Sequence, residues 1–296
     1  MTETGEVRPD VSERPDARPE PSPPRASPFS FLSFLKRSPK TPDLTGIGIA
    51  NDGVCVAHVN KADAAPTLEV CDYKACFSKD EQGDVLAALV ETHGLRQARC
   101  STVMEPGSYT LHLVDAPNVE AGEMRAAIRW RVKELIDFSV DDAVVDVFDV
   151  PGRNLRGQGG RMIYVVVANI AEVRKRIDLV EGAGLRLDVI DIPELALRNV
   201  AALLPEDRDG VALLHMTQHS GLITLTRRGT LYLARNLSVG IERLHRLRMH
   251  DVTADGEQRS AALHNALDGI VLEIQRSLDY YERHCSNPPI ARVVVT

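Results

Sequence analysis

Apolar and polar residues alternate through residues 46–50 and again through 54–59, with Asn51-Asp52-Gly53 between the two runs. Alternation with a period of two predicts half-buried strands, and Asp-Gly between them predicts a hairpin turn. Residues 67–76 read as a third strand. Over 80–94 the period lengthens: Val85, Leu86, Leu89 and Val90 share one side of a helix, and Gly94 stops it. Strand patterning returns at 99–104 and 109–115. A helix follows over 120–137, with the stripe Met124, Ala127, Ile128, Val132, Leu135 and Ile136. Strands at 143–150 and 161–168 flank a glycine-rich stretch at 151–161. It lacks GxxxxGK[ST] and no helix opens directly behind it, so it reads as a solvated hairpin loop rather than a phosphate loop.

Helix 170–182, strand 187–191 and helix 193–203 lead into three closely spaced strands, at 211–216, 221–227 and 230–235. Helical patterning covers much of 240–250. A polar break precedes a long helix over about 260–284, striped by Leu263, Leu267, Ile270, Ile274, Leu278 and Tyr281. A strand at 291–296 closes the chain. The order is a strand triplet and helix, an inserted α/β segment, then a second triplet and helix. This predicts an α/β fold of two lobes with duplicated β-meander halves, a repeat visible as pattern more than as residue identity. The first lobe is expected over 43–192, including an insert at about 105–188, and the second over 193–296.

Residues 1–42 stand outside this pattern. They carry nine of the seventeen prolines, too little apolar surface to offset chain entropy, and are expected to be disordered. Residues 28–37 interrupt them with Phe31, Leu32, Phe34 and Leu35 followed by Lys36 and Arg37. Two readings stay open: a docking or membrane-surface segment, or a short staple packed on the folded body.

Composition narrows the function classes. The chain has 296 residues, 44% hydrophobic and 26% charged, enough for about two domains. A formal charge of −7 gives the chain as a whole no attraction for nucleic acid. Its five cysteines form no CxxC pair, which excludes a zinc or dithiol redox motif and fits reduced thiols. His215, His219, His245, His250 and His264 have no metal-ligand spacing among them. No run approaches 18 apolar residues, so the expectation is a cytosolic protein, tied to a membrane through a partner if at all. Trp130, the sole tryptophan, lies off the apolar stripe of its helix, near Ala126. It either contacts a partner or is covered by a second layer of the fold.

Two meander-led halves resemble the actin-like nucleotide-binding superfamily, and particular residues point to one branch. Ala127-Ile-Arg-Trp-Arg-Val-Lys-Glu-Leu-Ile-Asp-Phe138, the following Val140–Pro151 run and Leu272-Glu-Ile-Gln-Arg-Ser-Leu-Asp-Tyr-Tyr281 resemble the MshI family of MSHA-type pilus biogenesis proteins. That family is similar to PilM, the actin-like cytosolic component of type IV pilus assembly. The resemblance covers about residues 44–296. It implies a cytosolic adaptor, peripheral to the bacterial inner membrane, that links the pilus platform to its assembly motor. It also implies a partner: the cytosolic N-terminal peptide of a PilN- or MshJ-like bitopic protein, held between the first lobe's core and the insert. Trp130, Ala126, Phe31 and Phe34 are the candidate partner-binding residues. An ATP-binding or ATP-hydrolysing actin-like protein, and a membrane-surface scaffold of a related secretion system, remain the alternatives.

The resemblance also locates a nucleotide pocket and shows it degenerate. Family members carry Gly-Ile-Asp-Ile-Gly at the first turn; here Gly48 stands for the aspartate and Ala50 for the glycine, ahead of Asn51 and Asp52. In the second lobe His215 stands where an acid is expected, followed by Met216, Thr217 and Gln218. Magnesium prefers carboxylate and phosphate oxygens, so losing both acids argues against metal-dependent hydrolysis. Asp191 matches the family's inter-lobe aspartate and reads either as a water-orienting carboxylate or as an acid at the start of the next helix. The family's adenosine-binding loop would follow 291–296, so the second lobe is expected to be incomplete at its C-terminus. The expectation is therefore no catalytic residue and no metal, with binding of ATP without turnover left open.

Overall fold

The computed structural model describes residues 43–61, 66–76, 78–120, 122–150, 162–249, 256–285 and 288–296. The expected tail, its Phe31 and Phe34, and the 151–161 loop lie outside the described residues. The first sheet begins with β1 (Leu44–Ala50), β2 (Gly53–Asn60) and β3 (Thr67–Ala75), an antiparallel meander. The Asp-Gly turn sets the register by pairing Ala50 with Gly53. Alternation then sends Thr45, Ile47 and Ile49 to one buried face. Helix α1 (Gln82–Thr92) follows, then β4 (Arg99–Val103), which lies parallel to β1.

The chain next leaves this sheet. β5 (Tyr109–Asp115), β6 (Ala143–Asp149) and β7 (Met162–Asn169) form a separate three-stranded sheet in the order β5-β7-β6. Central β7 is apolar almost throughout because both its faces are covered. Ile163, Val165 and Val167 pack under α2 (Met124–Val132) with Met124, Ile128 and Val132. Tyr164 and Val166 face the second lobe.

Helix α3 (Ile170–Gly182) is capped by the Asn169 side chain on the Ala171 N–H, and its Val180 returns to the first core. β8 (Arg186–Asp191) pairs in parallel with β4 and completes the order β3-β2-β1-β4-β8. The inserted sheet therefore ends at Asn169 rather than near 188, because α3 and β8 belong to the first lobe's layers.

Helix α4 (Pro193–Ala201) opens the second lobe, with β9 (Val211–Met216), β10 (Gly221–Arg227), β11 (Thr230–Leu237), α5 (Ile241–Met249), α6 (Gly256–His284) and β12 (Arg292–Val295). Its sheet, β11-β10-β9-β12, repeats the first lobe's pattern: a meander with one parallel strand beside its first member. β10 is buried along its whole length, between α4 on one face and α6 on the other. Tyr281 of α6 is fully buried and meets Tyr232 edge to face, centroids 5.4 Å apart. Among the described residues no helix is long and apolar enough to cross a membrane.

The expected helix over 120–137 is shorter than its stripe. Leu135 is exposed and has no core to continue into. Ser139 caps a separate 3-10 turn, whose Val140 carbonyl takes a hydrogen bond from Arg129. The other elements agree with their predicted positions to within a few residues, as end fraying allows.

Candidate functional site

The two meander turns face each other across a cleft of about 600 Å³. Ala50–Gly53 supplies one wall, and Thr217–Gly221, between β9 and β10, supplies the other. Seven of the eight expected pocket residues line it: Gly48, Ala50, Asn51, Asp52, His215, Thr217 and Gln218. Asp191 does not. Its Oδ1 accepts the Ile192 N–H at 2.8 Å, just before α4, and burial raises its carboxyl above the usual range despite the attraction of Arg198.

The first-lobe turn is closed by its own side chains. A Cβ on Gly48 would fall onto Cys55 Sγ, so the thiol occupies the volume of any side chain at this position. A Cβ on Gly53 would meet the Tyr73 ring, and Tyr73 Oη donates to the Asp52 carbonyl at 2.8 Å. The Cys76 N–H donates to that same carbonyl, and the buried Gln82 amide donates to the Ala50 carbonyl. The second-lobe turn is equally self-satisfied. Thr217 N–H donates to the Ser220 carbonyl at 2.8 Å, and Ser220 N–H donates to Thr217 Oγ1 at 3.2 Å. Ile241 and Glu242, at the start of α5, donate their N–H groups to the Thr217 and Gln218 carbonyls. His215 Nδ1 lies 3.2 Å from Thr296 Oγ1, and burial lowers its pKa.

Such turns hold phosphate when their amides point free into the cleft. Here the Thr217 and Ser220 amides are occupied, the first-lobe bonds fall on the Ala50 and Asp52 carbonyls, and the walls include the apolar Ile49, Met104, Leu197 and Leu222. Asp52 and Glu105 are the lining carboxylates, and Glu105 pairs with Lys79 at 3.5 Å. Among the described residues no group of three or more His, Cys, Asp or Glu side chains is arranged to hold a metal.

Sequence reasoning missed a buried pair beside this cleft, of which only Tyr109 is a lining residue. Tyr109, the first residue of β5, donates its hydroxyl to Glu194 in the first turn of α4 at 2.6 Å. Glu194 is 2% exposed. Burial raises its carboxyl pKa more than the Tyr109 bond lowers it, and burial together with Glu194 pushes the phenol well above its ordinary value. The two residues are 85 positions apart, and no linear spacing joins them. The only local signal is an acid beside Pro193 at a helix start.

The partner-binding candidates of the insert stand on the outer side of α2. Trp130 is 78% exposed and Ala126 is exposed beside it, so no described residue forms the covering layer that was one of its two readings. The neighbouring arginines are tied down: Arg125 to Asp146, Arg129 to the Val140 carbonyl and Arg131 to the Asp115 carbonyl.

No protein-family model matches this chain, and no curated protein matches it. Its fold matches the PilM-PilN type IV pilus biogenesis complex with a TM-score of 0.67 at 18% identity, over 87% of this chain and 82% of the other. Weaker likenesses include the cytoplasmic domain of EpsL, an inner-membrane component of the type II secretion system of Vibrio cholerae. That match has a TM-score of 0.46 at 12% identity over 72% and 78% of the two chains. A Bacteroides thetaiotaomicron protein with an actin-like ATPase fold gives 0.44 at 10% identity, over 86% and 91%. The chain shares its fold with the chain matched in the PilM-PilN complex.

Proposed function

We propose that this chain is a non-enzymatic, actin-like adaptor of a type IV pilus-like assembly, acting at the cytoplasmic side of the bacterial inner membrane. In this reading it holds the cytosolic N-terminal peptide of a PilN- or MshJ-like bitopic protein and passes that contact to the assembly motor. The observation that carries the reading is the fold shared over most of both chains with PilM, in a complex whose other member is PilN. The exposed Trp130 on the insert supports a contact there. The MSHA assignment rests on the residue runs at 127–151 and 272–281.

The non-enzymatic half rests on the cleft. Gly48 and His215 stand at the positions of the metal-holding acids, and Cys55 fills the space an acid at 48 would need. Calorimetric titration of the neighbouring bitopic protein's cytosolic peptide tests the adaptor. One saturable site with a change in Trp130 fluorescence is expected, and no saturable heat overturns it. The same cell, loaded with magnesium and ATP, tests the second half: sustained turnover overturns it.

A further inference from the structure

The cleft between the lobes is large, formed and unused by the proposed peptide contact. Its about 600 Å³ sits within the roughly 300–1,000 Å³ typical of small-molecule sites. We infer that it binds an uncharged apolar ligand and turns away phosphate-bearing ones. The inference rests on the degenerate-pocket reading of this cleft and gives that pocket a ligand class.

Three observations carry it. The walls are built from Met104, Leu197, Leu222 and the Tyr109 ring, which reward burial of an apolar body. Lysine and arginine are absent from the lining residues, while Asp52 and Glu105 are present, so an anion meets like charge and no counter-charge. Part of the second-lobe donor set is spent: the Thr217 N–H donates to the Ser220 carbonyl, the Ser220 N–H to Thr217 Oγ1, and the first amides of α5 to the Thr217 and Gln218 carbonyls. A polyphosphate entering here would lose its hydration and find neutral donors such as Asn51 and Gln218 but no described lysine or arginine in return. An uncharged ring system loses little and gains contact.

A matched pair of dyes tests the charge rule directly. N-phenyl-1-naphthylamine is uncharged, and 1-anilinonaphthalene-8-sulfonate is the same skeleton with a sulfonate. With the full chain, the uncharged dye is expected to bind saturably at one site, at least about tenfold tighter than the sulfonate. Ala196, on the α4 wall, gives the filling variant. Ala196→Trp should weaken the uncharged dye at least about tenfold, and the smaller Ala196→Leu serves if the tryptophan version does not fold. Asp52→Arg should narrow the gap between the dyes. Millimolar magnesium-ATP should not compete.

Equal affinity for the two dyes, binding indifferent to both Ala196 variants, displacement by magnesium-ATP, or no saturable binding each overturns the inference. The peptide titration is a separate readout. Dye binding without peptide binding removes the adaptor reading alone, and the reverse removes this one alone.

Discussion

Tyr109 Oη donates to Glu194 Oε2 at 2.6 Å and thereby ties the first strand of the inserted sheet to the first turn of the helix that opens the second lobe. The contact is the polar centre of an otherwise apolar seam. Around it Ile192, Leu195 and Leu231 pack against Leu111, Phe148 and Val166. It fixes the insert to the lobe opposite the one whose sheet the chain left.

Removing the phenol should cost stability out of proportion to its size. Tyr109→Phe keeps the ring and strips one donor from a carboxylate that is 2% exposed. A buried group left short of a partner costs about 1–3 kcal/mol. Urea unfolding of wild type and variant at neutral pH reads this as a lower midpoint with an unchanged slope. An unchanged midpoint would mean that Glu194 is solvated in solution.

The buried carboxyls of Asp191 and Glu194 set a pH dependence with a definite sign. Burial raises the carboxyl pKa of Asp191 and of Glu194 above their unfolded values. The folded state then holds protons that the unfolded state has released. The stability these groups contribute is full below the ordinary carboxylate range and is lost as pH rises through the raised values. Asp191→Asn and Glu194→Gln should therefore flatten the stability profile as pH rises from the ordinary carboxylate range, about pH 4, through the raised values. Wild type should gain on acidification relative to both variants. A wild-type profile parallel to the variants would contradict the burial of these groups.

Restoring the missing acid should not restore nucleotide chemistry. Gly48→Asp places a Cβ on Cys55 Sγ and is expected to destabilise by about 1–3 kcal/mol, the range for overpacking. Cys55→Ala frees the space, so the double variant should be more stable than the two single effects predict. Magnesium-ATP binding is expected in neither, because no described lysine or arginine lines the cleft and the Thr217 and Ser220 amides remain occupied. Tight magnesium-dependent binding in the double variant would show that the acid was the only missing part.

Trp130 should separate stability from function. At 78% exposed it contributes little packing, and Trp130→Ala is expected to change folding stability by less than about 0.5 kcal/mol. On the adaptor reading, the same variant weakens the peptide at least about tenfold by calorimetry. Peptide affinity equal to wild type would remove Trp130 from the interface.

The thiols offer an independent check of burial. Cys100 is 1% exposed, and its pKa is pushed up to about 11 by desolvation and the nearby acids Asp188 and Glu181. Cys71 is exposed on β3, the edge strand of its sheet. Under native alkylation near neutral pH, mass spectrometry should find Cys71 labelled early and Cys100 only on unfolding. Early labelling of Cys100 would place β4 at an open edge.

Much of this architecture was legible before any coordinates. The Asp-Gly turn at 52–53 and the alternation on either side of it dictate a hairpin, because a register slip would turn Ile47, Ile49, Val54 and Val56 to solvent. The uninterrupted apolar run of β7 signals a strand covered on both faces. Seven of the eight expected pocket positions meet in one cleft.

Other features depend on who meets whom. The end of α2 was misjudged because an apolar stripe reports what can be buried, while Leu135 stays exposed for want of a facing layer. The insert's end was placed near 188 because the pattern at 170–182 says helix but not which layer it packs on; Val180 of α3 joins the first lobe's core. Thus the sequence by itself determined the elements and the two-lobed order, since these follow from local periodicity and residue chemistry. The tertiary structure decided that Cys55 and Tyr73 close the first turn, that Tyr109 and Glu194 pair across the seam, and that Trp130 is left outside. Those facts come from contacts between distant segments, and no local propensity encodes them.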